Sequence, residues 1–157
     1  MEQEVALGQP RTGPLTGVRV ADFSAIFSGP IAGAMLADQG ADVIKVEAFT
    51  GDLMRKGYPQ SGGMASAFTS MNRNKRGLSV NLQTPEGKAI ATKLIQSADV
   101  VLENFRPGVM DRLGLGYDVF KENHPKLVYA SINGVGSVGP YANRRVYDAV
   151  IQAVSGF

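Results

Sequence analysis

The sequence predicts an α/β fold, a parallel sheet with helices on both of its faces. Three observations point there. Short apolar runs alternate with helical stretches, separated by turn residues, along most of the chain. The run Asp99–Glu103 carries Val100, Val101 and Leu102 without a polar break, as a strand buried on both faces does. Leu15–Glu47 reads as strand, Ser-Gly-Pro turn, small-residue helix, glycine stop and second strand, which is a compact βαβ unit.

Each element follows from local chemistry. Val18–Phe23 is the first strand. Ser28 suits a helix N-cap, and Pro30 suits the first turn, where its missing N–H costs nothing. Ala32, Gly33, Ala34 and Ala37 make a slim helix that packs close to a sheet, and Gly40 ends it. Asp42–Val46 is the second strand. Gly51–Ala65, rich in Gly, Ser and Pro, reads as a loop. Leu78–Leu82 alternates and reads as a strand. Thr84-Pro85 opens a helix with Ile90, Leu94 and Ile95 on one face. After the strand Asp99–Glu103 come short helices over Pro107–Leu113 and Tyr117–Asn123. A strand Leu127–Ile132, a glycine-rich loop and a helix over Tyr147–Ser155 complete the pattern.

Composition narrows the chemistry. The chain has 157 residues, 44% apolar and 19% charged, which suits one globular domain with a real core. It has no cysteine, so disulfides, thiolate metal sites and cysteine nucleophiles drop out. His124 is the single histidine, which argues against a zinc site, and no metal is expected. A net charge of +2 does not imply nucleic acid. No apolar run is long enough to span a bilayer, so neither nucleic acid nor membrane is expected as a partner. Met1–Pro14 is expected to be a mobile leader. It has no apolar signal core, and its acidic residues do not suit a transit peptide.

Four segments could carry function. The turn Phe23–Pro30 precedes a helix N-terminus, which favours an anion or a polar ligand edge; by its residues alone it reads first as a plain βα turn. Glu103–Gly114 sits at the carboxyl end of a strand, where ligands of parallel sheets bind. Its Arg106 and Arg112 could reach phosphate, and Phe105 could stack on an adenine; alternatively both arginines face water. The loop Asn133–Pro140 satisfies G-x-G-x-x-G through Gly134, Gly136 and Gly139. A dinucleotide fingerprint must open a helix directly, however, and here Pro140 and a polar run intervene. Finally, Asp148 begins an apolar helix, either as a helix-terminal acid or as a supporting carboxylate. The basic groups Arg73, Lys75, Arg76 and Arg144, Arg145 suit a small polyanion or a solvated surface.

Taken in order, the blocks LTGVRVADFS, SGPIAGAMLADQGADVIKVE, NRNKRGLSVNLQTPEGK, ADVVLENFRPGVMDRLGLGYDV, and GVGSVGPY followed by YDAVIQAVSG resemble the class III (CaiB/BaiF-type) CoA-transferases. The resemblance covers nearly all of the chain after Pro14. It implies a Rossmann-like large domain, of which residues 15–157 would be a truncated, amino-terminal part, and a smaller domain further along. It also implies a cytoplasmic homodimer whose chains interlock like links. Such enzymes move CoA from an acyl-CoA to a free carboxylic acid, with CoA as substrate and no permanently bound cofactor. An aspartate attacks the thioester, and anhydride and aspartyl-CoA intermediates follow.

The CoA-contacting positions that the resemblance implies are Ala25, Phe27, Ser28, Leu82, Asn104, Phe105, Arg112, Leu113 and Arg145. Arg112 and Arg145 would pair with phosphates, and Phe27 and Ser28 would lie near the thioester. The nucleophilic aspartate is expected beyond Phe157, so the chain alone would be inactive and Asp148 would at most support it. Ala48 stands where a basic residue often helps to bind the nucleotide, and Phe27 where some members carry a polar side chain. Related acyl-CoA racemases carry a catalytic histidine at the position of Tyr147, which favours the transferase branch. Besides a racemase, a chain that binds CoA or a partner without catalysis stays open as a reading.

Overall fold

The computed structural model describes residues 11–157. In chain order its first half comprises β1 (Arg19–Asp22), α1 (Ser28–Asp38), β2 (Asp42–Glu47), a 3-10 turn (Leu53–Lys56), β3 (Gln60–Ser61), β4 (Met64–Ala65) and α2 (Ser66–Met71). Then follow β5 (Arg76–Ser79), α3 (Pro85–Gln96), β6 (Val100–Glu103), α4 (Val109–Leu113), α5 (Tyr117–Phe120), β7 (Val128–Ser131) and α6 (Asp148–Ser155). The main sheet is entirely parallel and runs β5-β2-β1-β6-β7. Its own strands therefore stand in the order third, second, first, fourth, fifth, the Rossmann arrangement.

Alternation along the strands divides the core between two faces. Val20, Val43 and Leu102 pack with Ala37 on the α1 side. Ala21, Val46 and Val101 pack with Ala91 and Ile95 of α3, Met110 of α4 and Phe120 of α5 on the other. The slim α1 buries Gly29, Pro30, Gly33, Ala34 and Ala37, so its axis comes close to β1 and β2. Gly40, at φ 96°, turns the chain out of α1 in a conformation open to glycine. The Thr84 hydroxyl accepts the Gly87 N–H at 3.1 Å and caps α3, with Pro85 in the first turn as expected.

Four local expectations change. Ser28 is not the N-cap of α1 but its first residue; Phe27 holds the cap position without a side-chain bond, because Asn104 engages the Ser28 hydroxyl instead. Gly51–Ala65 is not a plain loop. It contains the 3-10 turn and a hairpin, β3 with β4, turned by Gly62 and Gly63 at φ 59° and 77°. The strand expected at Leu78–Leu82 begins earlier, at Arg76, whose guanidinium pairs with Asp42 of β2, and ends at Ser79, before a turn in which the Asn81 side chain accepts the Gln83 N–H. On α3 the buried face runs through Gly87, Ala91 and Ile95, leaving Ile90 exposed, since the two small residues bring that face nearest the sheet.

Of the expected leader, residues 1–10 lie outside the described residues. Arg11 reaches the Ala41 carbonyl and pairs with Asp42 at 3.2 Å, and the Leu15 N–H donates to the Gln39 carbonyl. The chain from Arg11 onward is thus laid against the turn between α1 and β2.

Candidate active site

The order of strands reverses between β1 and β6, and ligands of such sheets enter above the carboxyl ends at that point. A cavity of about 370 Å³ opens there. Phe23, Ser24, Ala25 and Ile26 follow β1 into its wall; Lys45, Glu47 and Asp52 come from β2 and the segment after it. Val80 and Leu82 follow β5, and Phe105, Val109 and Leu113 follow β6.

The turn after β1 is held from three directions. Asn104, beyond β6, accepts the Ala25 N–H at 2.8 Å and donates to the Ala25 carbonyl at 2.8 Å and to the Ser28 hydroxyl at 3.2 Å. Lys45 donates to the Ser24 carbonyl at 2.9 Å and to Asp52 at 3.0 Å. Asp52 in turn accepts the Ile26 N–H at 3.2 Å and the Met54 N–H at 2.9 Å. Ile26 sits at φ 69°, a left-handed conformation that a β-branched residue rarely adopts. Such a residue costs on the order of 1–3 kcal/mol, so its surroundings must impose it.

Beneath the turn lies a second buried pair. Lys75 donates to Asp22 at 2.8 Å, to the Pro30 carbonyl at 2.9 Å and to Asn72 at 3.1 Å. Asp22 also accepts the Ser24 N–H at 3.0 Å and the Ser24 hydroxyl. Gly33 makes room for this pair: a Cβ there would stand 2.7 Å from the Asp22 carboxylate. Burial pulls the Lys75 ammonium below its ordinary value, and Asp22 opposes that shift.

A third lock closes the far side. Arg55 binds Glu47 through two nitrogens, at 2.8 and 2.7 Å, and stacks 4.0 Å above the Phe68 ring of α2. Glu47 also accepts the Asp52 N–H at 2.9 Å. Burial pushes the Glu47 and Asp52 carboxyls up. Hydrogen bonds and neighbouring cations outweigh it and hold both below their ordinary values of 4.5 and 3.8. The sign follows: groups depressed in the folded state stabilise it above their unfolded values, and that stabilisation is lost as pH falls through the folded values. Urea midpoints measured from pH 7 down to pH 3 are therefore expected to fall on acidification. The fall should be shallower in Arg55→Ala, whose Glu47 titrates nearer its ordinary value.

Ala25, Leu82, Phe105 and Leu113 are brought together around the cavity, with Asn104 and Ser28 bonded to the turn at its edge. Phe27, half exposed, stands at the start of α1 outside the lining. Arg112 is exposed on α4, its guanidinium near Gly108, and Arg145 is exposed in the segment before α6. Neither arginine lines the cavity. Asp148 is exposed in the first turn of α6 and accepts from Gln152 at 2.6 Å. Sequence reasoning missed Lys45, Asp52, Arg55 and the Asp22–Lys75 pair. The one available signal was a lysine set inside the buried strand DVIKVE.

The arrangement also disfavours a dinucleotide site. The acidic residue that ends β2, where a ribose would be gripped, already accepts three bonds from Arg55 and Asp52. The Gly134–Gly139 loop opens no helix directly, α6 starting only at Asp148.

A locked turn at the switch point of a Rossmann-ordered sheet defines an α/β protein with a crevice at the carboxyl ends of its strands. The family model for CoA-transferase family III matches residues 15–157, and the chain belongs to that family. Succinate–glutarate CoA-transferase of Agrobacterium fabrum is 44% identical over 155 residues, which are 94% of this chain and 39% of the relative. Formyl-CoA:oxalate CoA-transferase of Streptomyces avermitilis is 44% identical over 146 residues, 92% of this chain and 36% of the relative. The crystal structure of a CaiB/BaiF family protein from Brucella suis superposes with a TM-score of 0.88 at 42% identity, covering 93% of this chain and 40% of that one. The chain thus spans a little over a third of the length of the curated relatives it matches.

Proposed function

We propose that this chain forms the CoA-binding side of an enzyme that transfers CoA from an acyl-CoA to a free carboxylic acid. The observation that carries the reading is the turn Ser24–Ser28, whose peptide groups are fixed by Asn104, Lys45 and Asp52 at the mouth of the cavity. In this reading Ala25, Leu82 and Leu113 supply apolar wall, and Phe105 lies against the adenine. Phe27 and Ser28 flank the thioester, and Arg112 and Arg145 meet the phosphates.

The nucleophile is proposed to be an aspartate beyond Phe157, with Asp148 at most supporting it. Glu47 and Asp52, the two carboxylates in the cavity wall, are committed to Arg55 and Lys45, and a carboxylate so stabilised is a poor nucleophile. The chain by itself is therefore expected to bind CoA without transferring it. The complete enzyme is proposed to act in the cytoplasm as a homodimer. Ile31 and Met35, exposed on the outer side of α1, support a covered surface there.

Calorimetric titration of the chain with CoA tests this. Asn104→Ala, which frees the turn, and Arg112→Ala, which removes a phosphate partner, are each expected to weaken binding at least tenfold, about 1.4 kcal/mol. Absence of CoA binding by the unmodified chain, or full affinity in both variants, would overturn it.

A further inference from the structure

The Lys45–Asp52 pair is almost wholly enclosed, with side-chain exposures of 3% and 1%. A buried ion pair is a poor way to gain stability, since apolar residues of similar volume often do as well or better. What an apolar pair cannot do is hold backbone polar groups. Here the lysine fixes the Ser24 carbonyl and the carboxylate fixes the Ile26 N–H, on either side of the residue that Asn104 fixes. Three consecutive residues of one turn are thereby bonded to side chains from three places in the chain, and the left-handed Ile26 is the residue the carboxylate holds. The next residues, Phe27 and Ser28, open α1, so the direction of the helix N-terminus depends on the Ile26 peptide.

We propose that Lys45 and Asp52 are positioning residues that set the Ser24–Ile26 backbone for the ligand, a role that rests on the CoA reading above. They touch backbone rather than reacting atoms. The carboxylate also accepts the Met54 N–H, so the same pair ties the 3-10 turn to the turn after β1 and keeps both walls of the cavity in one relative position.

Two charge-free double variants separate positioning from mere packing. Lys45→Met with Asp52→Leu removes all three backbone contacts, to Ser24, Ile26 and Met54, whereas Lys45→Met with Asp52→Asn keeps an acceptor for the Ile26 N–H. Hydrogen exchange at the Ile26 amide and CoA titration are read in both, alongside the urea midpoint. The leucine version is expected to unfold cooperatively, with Ile26 exchange and the CoA dissociation constant each raised at least tenfold. The asparagine version should recover most of the amide protection and part of the affinity. Equal protection and wild-type affinity in both variants would overturn the proposal. So would rapid exchange of the Ile26 amide in the unmodified chain, a measurement that needs no variant to fold. If the unmodified chain binds no CoA, the functional reading falls, and the Ile26 amide alone decides whether the pair sets the turn.

Discussion

Lys75→Met is expected to destabilise the chain by roughly 3–5 kcal/mol, the cost of leaving one member of a buried ion pair without its partner. Methionine keeps much of the lysine stem, so packing changes little and the charge is what is lost. Asp22 is fully enclosed and would retain only its bonds from Ser24. The Pro30 carbonyl and Asn72 would lose a donor at the same time. Urea denaturation at pH 7 measures the loss. Adding Asp22→Asn should restore part of the loss by removing the orphaned charge. A loss below about 1 kcal/mol at pH 7 would place Lys75 with ordinary surface pairs.

The second large effect is expected from Gly29→Ala. A Cβ at Gly29 would stand 2.1 Å from the Ser24 Cβ and 2.5 Å from its hydroxyl, atoms with little freedom to retreat. Ser24 is enclosed and bonded to Asp22, so α1 must lift at its first turn instead. Overpacking of this kind costs typically 1–3 kcal/mol. The lift also draws the Ser28 hydroxyl away from Asn104. Thermal unfolding should therefore fall by several degrees, and CoA affinity should fall with it. Gly62→Ala, at a hairpin position with open space around it, is the control: it should perturb the hairpin and leave CoA affinity alone.

Both predictions concern contacts that local patterning does not display. Strand and helix positions were legible because alternation, caps and glycine stops are written within a few residues: Thr84-Pro85 starts α3, and Gly40 ends α1. The hairpin was less so, since strands of two residues have no room to alternate, although Gly62-Gly63 was a usable turn signal. Of the positions that the resemblance implied for CoA, Ala25, Leu82, Phe105 and Leu113 line the cavity, whereas Phe27, Arg112 and Arg145 stand outside its lining. The charged locks were not legible. Lys75 looks solvated within its basic group, and the place of Lys45 in a buried strand does not name its partner; each is enclosed with a carboxylate from another segment, Asp52 for Lys45 and Asp22 for Lys75. Ser28 was misread for the same reason, its hydroxyl being claimed by a residue 76 positions away.

The sheet order has a consequence for how the chain is made. Of the strands of the main sheet, the central one, β1, comes first in the chain, and its two neighbours arrive at different times. β2 follows after one helix, so β1, α1 and β2 can associate while the rest is still being synthesised. The other edge of β1 must wait for β6, about eighty residues after it (Val20 pairs with Val100), with its backbone groups unpaired in the interval. Nascent chains halted between β2 and β6 are thus the stage at which a holdase chaperone has most to bind. Halting after β6 should sharply reduce that capture.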